Sequence, residues 1–332
     1  MTQPFRPDDE RAPNERPVAV VAPHRFAVPA SAGSGVVPLY VTPDWNVPRP
    51  EIRRAVILIH GRLRNADAYF ELVQRARMAA GGDGEDTLLI VPQFLATADV
   101  EAHQLAPDTL HWDWTGWMGG DSALGPASLS SFDVLDAILN RLAERERFPS
   151  LTTVVVAGHS GGGQVAQRYA VVTHGEAPLI GQGVALRYVI ANPSSYVYFD
   201  ELRPTENGGF APFDEARCLG FNDWKYGLNR LPAYARASGG DIALRALEDA
   251  YVKRDVIVLL GSEDCDPAHP ALDRSCAARA QGAHRLDRGL AYGRYMGMRH
   301  SALRHRTLVV DGFGHDGKGI FCSWVGVSAL FG

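Results

Sequence analysis

The chain has 332 residues, 46% of them hydrophobic, with 34 Gly and 21 Pro, enough to bury the core of one large domain. A formal net charge of −5 with no basic stripe and no acidic tail argues against nucleic acid or a charged interaction arm as partner. No apolar run approaches the roughly 18 residues that a membrane span needs.

Residues 1–18 are polar and proline-rich and read as a disordered extension, with a single domain over residues 19–332. The extension has no positive region followed by an apolar core, so it is not a signal peptide as written. That favours the cytoplasm, or a secreted or periplasmic location if a signal has been removed. HRFAVPA and VVPLYVT, on either side of SAGSG, predict a hairpin. Residues 54–60, RAVILIH, are continuously apolar, as in a strand buried on both faces of a parallel sheet. A helix over 65–80 stops at Gly81-Gly82, and 87–91 is another buried strand.

A long loop follows over 92–129. It carries Trp112, Trp114 and Trp117, which read as an aromatic wall of a substrate cleft. Residues 130–147 predict a helix, with Ser130 and Asp133 as a capping box and Phe132, Leu135, Ile138, Leu139 and Leu142 as its apolar stripe. A strand over 186–191 runs into Asn192-Pro193-Ser194-Ser195-Tyr196. Residues 200–240 are irregular and aromatic, suiting a cap or cleft rim. Tyr196 and Trp224 join the three earlier tryptophans as expected substrate contacts. Helices over 241–252 and 287–303, strands over 256–260 and 307–310, and one closing helix over 320–330 complete the chain. Strands alternating with helices predict an α/β fold with a doubly wound, mainly parallel sheet and helices on both faces.

The stretch from Thr152 to Ala170 carries the chemistry. A β-branched strand leads into Gly158-His159-Ser160-Gly161-Gly162, and a helix-like pattern with Val165, Ala166 and Tyr169 on one face follows. Strand, glycine-flanked turn and helix is the context of a nucleophile elbow: small neighbours let strand and helix approach while Ser160 takes a strained backbone position. The Gly161 N–H and the positive helix end then face a developing oxyanion. A serine hydroxyl needs a base, and the base needs an orienting acid. Catalytic groups in such a sheet gather at the carboxyl ends of strands. Two late strands end suitably, one in Gly261-Ser262-Glu263-Asp264-Cys265-Asp266 and one in Gly314-His315-Asp316. The residues themselves leave Asp264 and Asp266 both open as the acid. Asp316 adjoins the ring it would have to reach back to, and Glu263 is expected to point away.

From about residue 24 to its end the sequence resembles the α/β-hydrolase superfamily. The resemblance rests on His60-Gly61 after an early strand, the elbow at 158–162, Gly261-x-x-Asp264, and Gly314-His315, in that order. It is nearest to serine esterases close to the lipase and polyester-depolymerase groups. It implies about eight strands, no cofactor, Ser160 as nucleophile, His315 as base, Asp264 rather than Asp266 as the orienting acid, and an oxyanion hole from the N–H groups of Gly161 and Arg62. The substrate implied is a small or polymeric carboxylic ester. An amide, a carbon–carbon bond, or a non-catalytic binding role stay open. There is no HGGG run after the first parallel strand, unlike the hormone-sensitive-lipase type. Neither His300 and His305 nor the four cysteines fit a metal pattern. Cys265 and Cys276 bracket a polar loop and are expected to form a disulfide that braces the acid.

Overall fold

A computed structural model describes residues 12–30, 33–236 and 244–332. Its centre is an eight-stranded sheet: β1 (His24–Ala30), β2 (Gly33–Thr42), β3 (Arg54–Ile59), β4 (Thr87–Pro92), β5 (Thr153–His159), β6 (Ala185–Ala191), β7 (Asp255–Gly261) and β8 (Arg306–Val310). The spatial order is β1-β2-β4-β3-β5-β6-β7-β8. β1 and β2 form the antiparallel hairpin, β2 meets β4 antiparallel, and the remaining pairs are parallel. This is the doubly wound, mainly parallel sheet expected from the alternation of strands and helices.

Successive residues of each central strand face opposite layers, which explains why these strands read as unbroken apolar runs. Ala55, Ile57 and Ile59 of β3 enter one core, while Val56 and Leu58 enter the other. The first layer holds α2 (Ser131–Leu142), α3 (Gly161–Val172) and α5 (Arg285–Arg299). The second holds α1 (Ala66–Ala79), α6 (Gly317–Cys322) and α7 (Trp324–Phe331). A further helix, α4 (Leu244–Tyr251), precedes β7.

Several expectations are corrected. Residues 1–11 of the extension lie outside the described residues, and residues 14–18 make specific contacts with the domain. Arg64 is fully buried and ion-paired to Asp99 at 2.7 Å, and its remaining N–H groups need acceptors. The carbonyls of Asn14 and Arg16 supply them at 2.6 and 2.9 Å, and the Val18 N–H donates to Asp99 Oδ1 at 2.8 Å. The helix after residue 130 ends at Leu142, before Arg147. The expected closing helix is two helices, because the backbone turns extended at Ser323, whose hydroxyl caps the second by accepting from the Gly326 N–H at 3.0 Å. Residues 237–240, the end of the predicted rim, lie outside the described residues. Among the described residues no helix is long and apolar enough to cross a membrane.

Candidate active site

β5 delivers the chain to Ser160, and α3 begins at the next residue. Ser160 has φ 57° and ψ −116°, a region that L-residues rarely occupy. The flanking glycines are required sterically. A Cβ on Gly158 would strike the Gly162 carbonyl, and one on Gly162 would strike the carbonyls of Ile59 and His60. The Ser160 N–H donates to the Ala191 carbonyl at 2.9 Å, tying the elbow to the end of β6.

Loops after β7 and β8 bring two further groups to the serine. His315 Nε2 lies 2.9 Å from Ser160 Oγ, and His315 Nδ1 lies 2.8 Å from Asp264 Oδ2. With the proton on Nδ1, the ring donates to Asp264 and accepts from the Ser160 hydroxyl. Asp266 takes no part: it is exposed and accepts from the Ala268 N–H at 2.8 Å. Asp264 is nearly buried, and its other oxygen accepts from Arg285 Nη1 at 3.2 Å. Burial alone would raise the Asp264 pKa, but the hydrogen bonds and charges of His315 and Arg285 outweigh it and hold it below the usual value. Burial is the main cause lowering the His315 pKa; the charge of Arg285 adds to it and Asp264 opposes it.

Two more imidazoles flank His315, with ring centroids 4.6 Å away for His159 and 5.0 Å for His269. Burial drives the His159 pKa well below its ordinary value, and Tyr69 Oη lies 3.2 Å from its Nδ1. A neutral His159 therefore packs against His315 without adding charge. His60 is structural: it is buried, its pKa is pushed down to about 4 by desolvation, and its Nε2 accepts from the Phe94 N–H at 2.9 Å. Arg62 and Gly161 lie in close contact, since a Cβ placed on Gly161 would sit 3.0 Å from Arg62 N. Gly161 is the first residue of its helix, so its N–H has no partner within the helix.

The cleft divides at Ser160 into two lobes that share Arg62 and Ala271. A cavity of about 720 Å³ lies on the histidine side, lined by Tyr69, Leu72, His159, His269, His315 and Lys318 among others. A second, of about 320 Å³, lies beside Gly161 and is lined by Met118, Gln164, Lys225, Tyr226, Asp273 and Arg274 among others.

The expected aromatic wall is corrected. Trp112, Trp117 and Tyr196 are 0% exposed and belong to the core. Trp117 stacks on Phe94 at 5.4 Å and meets His60 at 4.7 Å, while Tyr196 stacks on Tyr292 at 4.5 Å. Trp114 sits under the Arg64 guanidinium at 5.1 Å, and Trp224 Nε1 donates to the Gly119 carbonyl at 2.6 Å. None of the five lines either lobe. Large rings gain most from complete burial, and the interior takes Trp112, Trp117 and Tyr196, while Trp114 and Trp224 are half-buried. The two segments reach the cleft through other residues: Thr115 and Met118 from the loop, Lys225 and Tyr226 from the rim.

The disulfide is also corrected. Cys276 pairs with Cys218, their Cα atoms 5.8 Å apart, and Cys265 is a free, exposed thiol, as Cys322 is a free and partly buried one. The bond joins the 200–240 segment to the stretch that follows the acid. Sequence reasoning also missed Arg285, Lys225 and Gln164. Arg285 lies 21 residues beyond Asp264 at the start of α5, and no local motif announces it.

The sequence matches no protein-family model and no curated protein. Two solved structures share the fold over nearly the whole chain. Poly(aspartic acid) hydrolase-1 from Sphingomonas sp. KT-1 aligns with a TM-score of 0.59 at 21% identity, covering 96% of this chain and 100% of that one. The poly(3-hydroxybutyrate) depolymerase LpqC from Bordetella parapertussis aligns with a TM-score of 0.61 at 19% identity, covering 93% of this chain and 90% of that one. The chain has the α/β-hydrolase fold.

Proposed function

We propose that this protein is a serine hydrolase of carboxylic esters that works through an acyl-enzyme, with Ser160 as nucleophile, His315 as base and Asp264 as its orienting acid. The observation that best supports this is the unbroken chain of contacts from Ser160 Oγ through His315 to Asp264, starting from a strained elbow residue.

Ser160 Oγ attacks the ester carbonyl as its proton passes to His315 Nε2. The carbonyl oxygen becomes an oxyanion, held by the N–H groups of Arg62 and Gly161. Asp264 keeps the ring in the useful tautomer and stabilises the imidazolium. Collapse breaks the acyl–oxygen bond, and His315 gives its proton to the departing alkoxide. Water then attacks the acyl-enzyme, losing its proton to His315, and Ser160 is released with the carboxylic acid. The chemistry uses no cofactor. An amide is the second reading, since the same attack and proton delivery serve an amine leaving group and one of the two solved structures is named a poly(aspartic acid) hydrolase. Disulfides persist in oxidising compartments, so Cys218–Cys276 favours a secreted or periplasmic location over the cytoplasm.

The test pairs a fluorophosphonate probe with turnover of p-nitrophenyl esters and the matching anilides. A single label on Ser160, and esterase activity lost in Ser160→Ala, support the proposal. Labelling elsewhere, or turnover that survives Ser160→Ala, overturns it.

A further inference from the structure

The smaller lobe has a chemical character that ester hydrolysis alone does not require. Three cationic side chains, Arg62, Lys225 and Arg274, line it against one carboxylate, Asp273. Asp273 is already engaged by the Tyr226 hydroxyl at 2.7 Å and the Ser275 N–H at 3.0 Å. Lys225 has no hydrogen-bond or ion-pair partner among the described residues, although Asp273, Asp121 and Asp113 act on it from a distance.

The floor beneath adds to this. Arg168 is fully buried and bonded only to neutral groups: it donates to the Met118 carbonyl at 2.6 Å, to Gln164 Oε1 at 2.6 Å and to Ser195 Oγ at 3.0 Å, while its Nε has no partner among the described residues. Ser195 Oγ also lies 3.2 Å from Gln164 Oε1. The Gln164 carbonyl oxygen is thus committed inward, which leaves its amide N–H groups as donors for the lobe. The first turn of α3 contributes the positive end of a 12-residue helix. The lobe therefore presents donors and positive charge around an ammonium without a partner. A partly buried ammonium in that state is stabilised by an arriving anion. Burial does draw the Lys225 pKa down, and a bound carboxylate would restore it.

The lobe's side of the serine fixes which part of the substrate enters. His315 delivers its proton to the leaving oxygen, so the alcohol lies in the larger lobe, which His315 lines. The smaller lobe lacks His315 and adjoins the Gly161 amide, so the acyl chain enters there. We infer that the smaller lobe binds a carboxylate carried on the acyl part of the substrate, and that Lys225 is the residue that selects for it. The preferred substrates are then half-esters of dicarboxylic acids, or units of an anionic polymer. This inference rests on the serine-hydrolase reading above.

The experiment compares mono-p-nitrophenyl adipate, which carries the charge, with p-nitrophenyl hexanoate, which does not, after subtraction of uncatalysed hydrolysis. Wild type is expected to favour the adipate in kcat/KM. In Lys225→Met the adipate-to-hexanoate ratio should fall about 10- to 100-fold, the range for loss of a hydrogen bond to a charged group, and mainly through KM. Lys225→Arg should restore most of the ratio, and Lys225→Glu should lower it further. Circular dichroism and fluorophosphonate labelling of Ser160 check that each variant is folded. A ratio that is the same in wild type and Lys225→Met, with hexanoate still cleaved, overturns the carboxylate inference and leaves the hydrolase standing. No cleavage of either ester together with no label on Ser160 overturns both.

Discussion

Asp264 Oδ2 lies 2.8 Å from His315 Nδ1, whereas Asp266, two residues further on, caps its own loop through the Ala268 N–H. The two carboxylates therefore differ in what their loss should do. Asp264→Asn keeps the shape but favours the wrong histidine tautomer, and should lower kcat by about 10⁴. Asp266→Asn removes one exposed turn contact and should change kcat by less than about threefold. Steady-state kinetics on the two folded variants, with circular dichroism as control, checks the ranking. The reverse order would move the orienting role to Asp266.

The elbow makes a separate prediction about stability. Gly158→Ala places a methyl group against the Gly162 carbonyl, and Gly162→Ala places one against two carbonyls of the β3 end. Backbone cannot yield as a flexible side chain does. Each variant should lose about 1–3 kcal/mol or more in urea denaturation, with activity lost as Ser160 is displaced. A wild-type midpoint in either variant would contradict the close approach of strand and helix.

What the sequence disclosed follows the range over which each signal acts. β3, β4, β5 and β7 are apolar runs because both faces of each strand are buried, and that is written residue by residue. The Ser160 elbow is equally local: its glycines, its strand and its helix adjoin one another. Trp112, Trp117 and Tyr196 misled because an aromatic residue reads the same in a core as in a cleft, and only the packing of distant elements distinguishes them. The cysteine pairing failed for a similar reason. Cys265 and Cys276 are near in sequence, but the rim segment brings Cys218 to Cys276 across a separation of 58 residues. Arg285 and Lys225 have no motif, and their roles arise from where α5 and the rim meet the cleft.

That disulfide closes a long loop, so its removal should be felt. Cys218→Ser should lower stability by about 2–5 kcal/mol, with the largest loss of protection from hydrogen exchange expected in the rim around Phe221 and Tyr226. Peptide mapping without reductant should recover a Cys218–Cys276 cross-link, with Cys265 and Cys322 alkylated as free thiols. Recovery of Cys265 in a disulfide would contradict the structure.

The pH profile gives the sharpest test of how the site is held. His315 acts as a base only when neutral, so kcat/KM should rise with pH through its pKa in the free enzyme. Burial and Arg285 lower that pKa from its ordinary 6.5, so the acid limb should have its midpoint below 6.5. The two charged neighbours act in opposite directions. Arg285→Met removes a cation that disfavours the imidazolium, so the His315 pKa rises and the limb moves to higher pH. Asp264→Asn removes the anion that favours the imidazolium, so the limb of the residual activity moves to lower pH. Arg285 has no contact with Ser160; it is a positioning residue that holds Asp264 and acts on His315 through its charge, with its Nε anchored on Ser194 Oγ at 3.2 Å. A purely structural role would lower kcat in Arg285→Met and leave the limb where it was. The profiles of wild type and the two variants, measured as kcat/KM at constant ionic strength on folded protein, decide between these outcomes. Shifts of opposite sign support the arrangement of Arg285, Asp264 and His315, and a shift of the same sign in both variants overturns it.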